Sequence, residues 1–309
     1  MYNFVISIIT MLLLSNPWIL KNEHTMDMSA FNHFYRLEFP EITHISGYSS
    51  LNDYNIATHF FKPDNPIGTV LAVHGYYDHV GIERNLISHL LKQKYTVVAF
   101  DLPGHGLSSG DKADIDDFSD YSSILLELYE LVIYEFNPPF HIIGHSTGSA
   151  IILDGLLANE FGRISKVILA SPLIHSNHWN LSKAGNLFSD IFVDEVPRIF
   201  RKNSSNDEYL DFIKYRDPLQ YRKVPLNWFK SLSRWNQKIS MSSGSDKDVL
   251  VIQGDSDITV DWKYNLEFIT DKFQNSRIIM IEGGNHQLYN EREEIRDRVF
   301  ETMIEYLEL

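Results

Sequence analysis

The chain contains no cysteine among its 309 residues. This absence excludes disulfides, zinc sites built on thiolates and a cysteine nucleophile, but it leaves the redox compartment open. Basic residues are also scarce, because 27 Lys and Arg stand against 41 Asp and Glu and give a formal net charge of −14. That balance argues against nucleic acid as a partner and against simple electrostatic docking on anionic lipid.

The sequence also lacks internal repeats, low-complexity tracts and any linker rich in Pro, Gly or Ser that would divide it. Hydrophobic residues make up 44% and charged residues 22% of the chain, so a sizeable core is expected. The histidines are scattered, and we predict neither a metal site nor a cofactor.

The N-terminus carries an apolar run over residues 4–14, which residues 18–20 extend. Its length suits the apolar region of a signal peptide and is short for a membrane-spanning helix. No Lys or Arg precedes the run, and no convincing small-x-small cleavage site follows it. We expect residues 1–25 to serve in export or membrane anchoring. The alternatives are a helix packed on the domain or an upstream extension, which would leave the protein cytoplasmic.

Beyond this segment, short apolar runs alternate with helical patterns. Strands are predicted at residues 42–47, 55–62, 70–74, 96–100, 140–144, 166–170, 249–253 and 278–281. Helices are predicted at 83–92, 118–134, 147–159, 262–272 and 291–307. Continuously apolar strands are typical of a sheet buried on both faces. The pattern therefore predicts an α/β fold with a doubly wound, mostly parallel sheet of eight strands, whose first two strands pair antiparallel at one edge.

Residues 175–246, called here the cap segment, interrupt the alternation. They contain no convincing strand but many aromatic residues, from Trp179 to Trp235. Because the segment is too long for a simple crossover, we predict a mostly helical insertion into a core formed by residues 40–174 and 247–309. Most of its aromatic residues would form a small core, and some would line a site beneath.

The stretch GHSTG at residues 144–148 fits the pattern G-x-S-x-G between a predicted strand and a predicted helix. This is the context of a nucleophile elbow, where glycines permit a sharp turn and the new helix presents free N–H groups. A serine hydroxyl needs a basic histidine and an orienting acid, expected in the order Ser, Asp, His after successive strands.

The sequence has candidates for both the acid and the histidine at the expected positions after strands. His286 follows the last predicted strand, and Asp255 and Asp257 follow the strand before it. We favour Asp257 as the acid because it lies further into the loop, and assign Asp255 to the turn. Asp261 is predicted to cap the next helix.

An oxyanion requires backbone donors, which we expect from Thr147, after the nucleophile, and from Tyr76 in the loop HGYYDH at 74–79. His74 and His105 are predicted to hold loops rather than to take part in chemistry.

These motifs resemble the α/β-hydrolase superfamily, and within it the monoacylglycerol lipase and lysophospholipase group of serine aminopeptidase-type hydrolases. The resemblance runs from about residue 40 to 309 and rests on five stretches in order: VLAVHGYYDH, FDLPGHGLSSG, GHSTG, QGDSDITV and GGNHQLYNE. It implies Ser146, Asp257 and His286 as catalytic triad, Tyr76 and Thr147 as oxyanion hole, and a cap that shapes an acyl-chain tunnel and contacts membrane. The group usually has methionine and glycine where this chain has Thr147 and Ser149.

The expected function is hydrolysis of a monoacyl lipid ester, either a monoacylglycerol or a lysophospholipid, without a cofactor. The alternatives are a short-chain esterase, thioesterase or peptidase of the same fold, or a non-catalytic ligand-binding protein.

Overall fold

The computed structural model describes residues 26–179 and 194–309. The predicted N-terminal segment of residues 1–25 lies outside the described residues, as do residues 180–193 of the cap segment. Within the described ranges, no helix is both long and apolar enough to cross a membrane.

The strands of the described chain belong to two sheets. They are β1 Thr43–Leu51, β2 Tyr54–Lys62, β3 Gly68–Val73, β4 Tyr95–Phe100, β5 Phe140–His145, β6 Ile164–Ala170, β7 Glu195–Pro197, β8 Lys223–Pro225, β9 Val249–Gly254 and β10 Ser276–Ile281. Eight of them form one sheet in the order β1-β2-β4-β3-β5-β6-β9-β10. The pairs β1–β2 and β2–β4 are antiparallel and the others parallel, which confirms the predicted fold class and its antiparallel edge.

Helices cover both faces of this sheet. They are α1 Met28–Phe34, α2 Arg84–Lys92, α3 Ser119–Glu135, α4 Thr147–Leu157, α5 Asp207–Asp211, α6 Leu226–Ser240, α7 Trp262–Lys272 and α8 Glu293–Glu308. A π-helical turn spans Phe212–Arg216 and a 3-10 turn spans Leu288–Asn290. All five helices predicted from periodicity are present as α2, α3, α4, α7 and α8.

The core lies in two layers because successive side chains of a strand point to opposite faces. Ile142 of β5 packs in the cluster that includes residues of α3 and α4. Its neighbour Ile143 packs in the other cluster, with residues of α2 and α8. A strand buried in this way is largely apolar, and β3, β4 and β5 are apolar apart from Thr69, Thr96, His141 and His145.

The cap segment differs in one respect from the sequence prediction. It contains α5, the π-helical turn and α6, but also an antiparallel ribbon in which β7 pairs with β8. Each of these strands has only three residues, too few to produce a recognisable alternation. The ribbon brings residues 195–197 next to residues 223–225, and Tyr77 in the loop that follows β3 contacts Lys223 of β8 and Arg198 just after β7.

Candidate active site

Ser146 occupies a sharp turn between β5 and α4. Its φ and ψ are 52° and −109°, a conformation that is costly for a residue with a side chain. The turn persists because its surroundings hold it: the Ser146 N–H donates to the Ala170 carbonyl oxygen at 2.9 Å. A Cβ added to Gly148 would lie 2.1 Å from the Val73 carbonyl oxygen, so this position admits only glycine without a shift of backbone.

The structure brings three of the predicted site residues together in one hydrogen-bonded chain. His286 Nε2 lies 2.9 Å from Ser146 Oγ, and His286 Nδ1 lies 2.8 Å from Asp257 Oδ2. Since a carboxylate can only accept, Nδ1 carries the ring proton and Nε2 accepts the hydrogen bond from the Ser146 hydroxyl. The geometry is that of a nucleophile, a base and an orienting acid.

Asp257 is held as a carboxylate by its partners. Burial would raise its pKa, but the nearby His286 and the hydrogen bonds from His286, the Thr259 N–H and the Gln253 side chain lower the pKa below its ordinary value. Asp255 is exposed and accepts from the Gly283 N–H at 2.8 Å. The structure therefore pairs His286 with Asp257 and places Asp255 in the turn, and the role of Asp257 as the orienting acid stays a prediction.

The loop after β3 passes directly over the serine. A Cβ on Gly75 would lie 3.3 Å from Ser146 Cβ, so Gly75 permits the close approach. The next residue, Tyr76, is held by a 2.6 Å hydrogen bond from its hydroxyl to the Ala113 carbonyl and by stacking on Trp228 at 3.8 Å. Thr147 is the first residue of α4, where an N–H has no partner within the helix. Their assignment as oxyanion donors stays a prediction.

Two histidines hold the surrounding loops by hydrogen bonds. His74 donates from Nδ1 to the Gly75 carbonyl at 2.7 Å and accepts at Nε2 from the Leu102 N–H at 2.9 Å. His105 Nδ1 contacts the Pro103 carbonyl at 2.8 Å. Asp261 caps α7 through the Tyr264 N–H. Ser149, where the related group has glycine, donates to the Gly144 carbonyl at 2.7 Å and thus strengthens the turn.

Sequence reasoning missed a second buried network behind the triad. His145 Nε2 donates to the His286 carbonyl at 2.9 Å, and its Nδ1 faces Asp78 Oδ2 at 3.5 Å. The same Asp78 oxygen accepts from the Gln287 amide at 3.0 Å. Although burial opposes it, the interaction with His145 lowers the pKa of Asp78. The network thus ties the loop after β3 to the loop that carries His286. The local sequence signal for this network is the run HGYYDH at residues 74–79, which contains Asp78.

Two residues of this network, Asp78 and His145, form with Glu83 a cluster of side chains that could hold a metal ion. Ligand atoms of Asp78, Glu83 and His145 all lie within 4.8 Å of one another. Burial raises the pKa of Glu83 to about 8, so a proton neutralises this carboxyl group at neutral pH. His141 and His145 also have the H-x-x-x-H spacing, but they lie on strand β5, where four residues span about 13 Å.

Above the serine is a cavity of about 470 Å³. Ser146, Thr147, His286 and Tyr76 are among the residues that line it, and apolar side chains from the core and the cap segment surround them. The apolar lining includes Leu173, Val196, Ile199, Ile213, Val224, Trp228, Phe229 and Val260.

An eight-stranded sheet of this order, with a serine elbow after β5 and a hydrogen-bonded Ser, His and Asp at the carboxyl ends of its strands, defines an α/β-hydrolase. More narrowly, residues 64–293 match the serine aminopeptidase S33 family, and the chain belongs to that family.

Individual relatives are more distant. The chain is 28% identical to the monoglyceride lipase of Rattus norvegicus over 257 residues, covering 78% of this chain and 82% of the relative. It is 23% identical to a probable lysophospholipase L2 of Haemophilus influenzae over 277 residues, covering 81% and 87%. A crystal structure of a soluble variant of monoglyceride lipase from Saccharomyces cerevisiae with a substrate analog superposes with a TM-score of 0.75 at 20% identity, covering 94% of this chain and 98% of that one.

Proposed function

We propose that the protein is a serine hydrolase that cleaves the ester bond of monoacyl lipids, either monoacylglycerols or lysophospholipids. The observation that carries the proposal is the hydrogen-bonded arrangement of Ser146, His286 and Asp257 at the floor of a largely apolar cavity. The relatives named monoglyceride lipase and lysophospholipase support the same substrate class.

In the proposed mechanism, Ser146 Oγ attacks the ester carbonyl carbon while His286 Nε2 takes the hydroxyl proton. Asp257 stabilises the resulting imidazolium, and the N–H groups of Tyr76 and Thr147 receive the oxyanion. His286 then returns the proton to the leaving alcohol, which leaves an acyl-enzyme. Water attacks the acyl-enzyme by the same route and releases the fatty acid.

The cavity gives the acyl chain its place. Side chains of the cap segment form one wall and Leu173 and Val260 of the core contribute to another. Each methylene buried there would contribute about 0.8 kcal/mol. A short-chain esterase or a peptidase would share the triad but would gain less from this apolar lining, whereas a long-chain thioesterase would gain as much and would differ in its leaving group. We therefore favour a long acyl chain.

The experiment that tests the proposal combines labelling and turnover. We expect a fluorophosphonate probe to label the wild type and not Ser146→Ala, and Asp257→Asn to lower kcat on 1-oleoylglycerol by about 10⁴-fold. Asp255→Asn is the matched control and should stay within about threefold of the wild type. A folded wild type that neither labels nor hydrolyses would overturn the proposal and favour the ligand-binding alternative.

The proposal extends to membrane contact through residues 1–25 or the cap segment, because the substrates reside in bilayers. Fractionation of cells that express the full chain, beside a variant lacking residues 1–25, tests this part separately. Recovery of both proteins in the same soluble fraction would refute a role of the N-terminal segment in location.

A further inference from the structure

Two arginines of the cap segment, Arg198 and Arg201, line the catalytic cavity together with Ser146 and His286. Both follow strand β7. Asp78 is the one carboxylate among the residues that line the cavity in the described chain, and it is engaged with His145 and Gln287. The cavity therefore has an excess of positive charge, although the protein as a whole carries a net charge of −14.

Arg198 is fixed in position. Its guanidinium lies 3.8 Å from the ring centre of Tyr77 and 4.4 Å from that of Phe200. Nη1 donates to the Gln220 side-chain oxygen at 2.7 Å and to the Tyr221 carbonyl at 3.2 Å. Such stacking and hydrogen bonding orient a planar guanidinium and reduce the entropy that it would lose on binding a ligand.

The charge of Arg198 is not matched by an acid. Among the described residues, no carboxylate lies within ion-pair distance of its guanidinium, and Nε and Nη2 have no acceptor. The group is nevertheless half-buried, and desolvation lowers its pKa from the ordinary value despite the opposite influence of Tyr77 and Asp78. A cation withdrawn from water without a counter-ion is unfavourable, unless a ligand supplies the anion.

The two lipid classes of the proposed function differ at this point. A monoacylglycerol has an uncharged head group and offers only hydroxyls. A lysophospholipid has a phosphodiester, whose oxygens suit the remaining edge of the guanidinium formed by Nε and Nη2. Arg201 adds a second, exposed cation at the same wall, held loosely by a 3.4 Å contact to the Ile258 carbonyl.

We propose that Arg198, assisted by Arg201, binds the phosphate of a lysophospholipid head group and makes the protein select lysophospholipids over monoacylglycerols. This inference rests on the proposed function, since it assigns the head group of the same substrate. The phosphate would sit at the cap wall while the ester carbonyl lies above Ser146, and the acyl chain would occupy the apolar part of the cavity.

The test compares lipids that share one acyl chain. kcat/KM is measured for 1-oleoyl-lysophosphatidylglycerol, 1-oleoyl-lysophosphatidylcholine and 1-oleoylglycerol with the wild type, Arg198→Met and Arg198→Lys. Met keeps an apolar side chain over Tyr77 and removes the charge. Lys keeps the charge but lacks the planar guanidinium that can donate two parallel hydrogen bonds. Arg222→Met is the matched control, because Arg222 directly precedes β8 and lies over the same Phe200 ring at 5.7 Å, but does not line the cavity.

We expect Arg198→Met to lower kcat/KM for both lysophospholipids by about 10- to 100-fold, and Arg198→Lys by less. Turnover of 1-oleoylglycerol and of p-nitrophenyl acetate should change by less than about threefold, and Arg222→Met should leave all four substrates unchanged. Equal losses on the lysophospholipids and 1-oleoylglycerol, or no loss on either, would overturn the inference. A wild type that prefers 1-oleoylglycerol would overturn it too.

A binding measurement separates failure of this inference from failure of the proposed function. Titration calorimetry of 1-oleoyl-lysophosphatidylglycerol into Ser146→Ala, below its micelle concentration, needs no turnover. We expect binding that weakens about tenfold or more when Arg198→Met is added. If no ester is hydrolysed but this difference is found, the proposed function fails and the phosphate site stands. If esters are hydrolysed and the difference is absent, the phosphate site fails alone.

Discussion

Replacing Glu83 by Gln should make the protein more stable at neutral and alkaline pH. Glu83 precedes α2 and is only 2% exposed, and its Oε1 has no hydrogen-bond partner among the described residues. Burial, and to a lesser degree the negative charge of Asp78, raise its pKa from 4.5 to about 8, although His145 opposes the shift. Glutamine has the same shape and cannot ionise.

The magnitude follows from the two pKa values. The folded state holds the Glu83 proton more tightly than the unfolded chain does, so the contribution of Glu83 to the free energy of unfolding is fully present below pH 4.5 and is lost as the pH rises toward 8. At about 1.4 kcal/mol per pH unit, the loss across this window is at most about 5 kcal/mol. Above pH 8 no further loss from this group is expected, because it is then ionised in both states.

The assay is urea unfolding of the wild type and Glu83→Gln between pH 5 and pH 9. The difference in unfolding free energy between the two proteins cancels every other titrating group, and it should grow in favour of the variant as the pH rises. Glu208→Gln, at an exposed position, is the control and should give a constant difference. Parallel curves for the wild type and Glu83→Gln would refute the assignment of a buried, protonated carboxyl group.

Two further substitutions test the packing around the site. Asp217→Asn leaves His79, 3.1 Å away and buried, without its counter-ion, so the unfolding free energy at pH 7 should fall by about 3–5 kcal/mol. The pKa of Asp217 is lowered to about 2, because His79 and the hydrogen bonds from His79 and Tyr35 outweigh the effect of burial. The deficit should therefore shrink only as the pH falls below about 4, whereas a constant deficit down to pH 2 would contradict the ion pair. Gly148→Ala places a Cβ 2.1 Å from the Val73 carbonyl oxygen and should lower stability by about 3 kcal/mol in thermal unfolding, while Gly162→Ala, with no atom within 4 Å, should be nearly neutral. Similar melting temperatures for the two alanine variants would contradict the crowding at the elbow.

Sequence predicted the main sheet because its central strands, such as β3, β4 and β5, are buried on both faces. A short run such as VLAV in β3 is typical of a strand buried on both faces, and turn residues mark where each run stops. The ribbon of β7 and β8 gave no such signal, since its strands have three residues each and all of those residues except Pro225 are half-buried or exposed. Local sequence patterns thus predict strands that are buried in the core, and they miss short strands that few contacts hold in place.

The site divides in the same way. Ser146, Asp257 and His286 could be placed from sequence because each follows a recognisable strand, and parallel strands end at one edge. Residues that support them could not. The hydroxyl of Tyr35 donates to Asp217 at 2.5 Å, although the two residues are 182 positions apart in the sequence. No local sequence pattern around either residue predicts this hydrogen bond. Arg198 likewise resembles any surface arginine until the cavity is seen.

Gln220 shows how these distant groups act on the candidate active site together. Its amide nitrogen donates to the Tyr77 carbonyl at 2.9 Å and to Asp217 at 3.0 Å, while its oxygen accepts from Arg198. One side chain therefore joins the loop that would supply an oxyanion donor, the buried ion pair and the proposed phosphate site. Because backbone donors stabilise an oxyanion only when they are held in place beforehand, we expect the Gln220 contact to the Tyr77 carbonyl, rather than Arg198 itself, to matter for the proposed oxyanion donor at Tyr76.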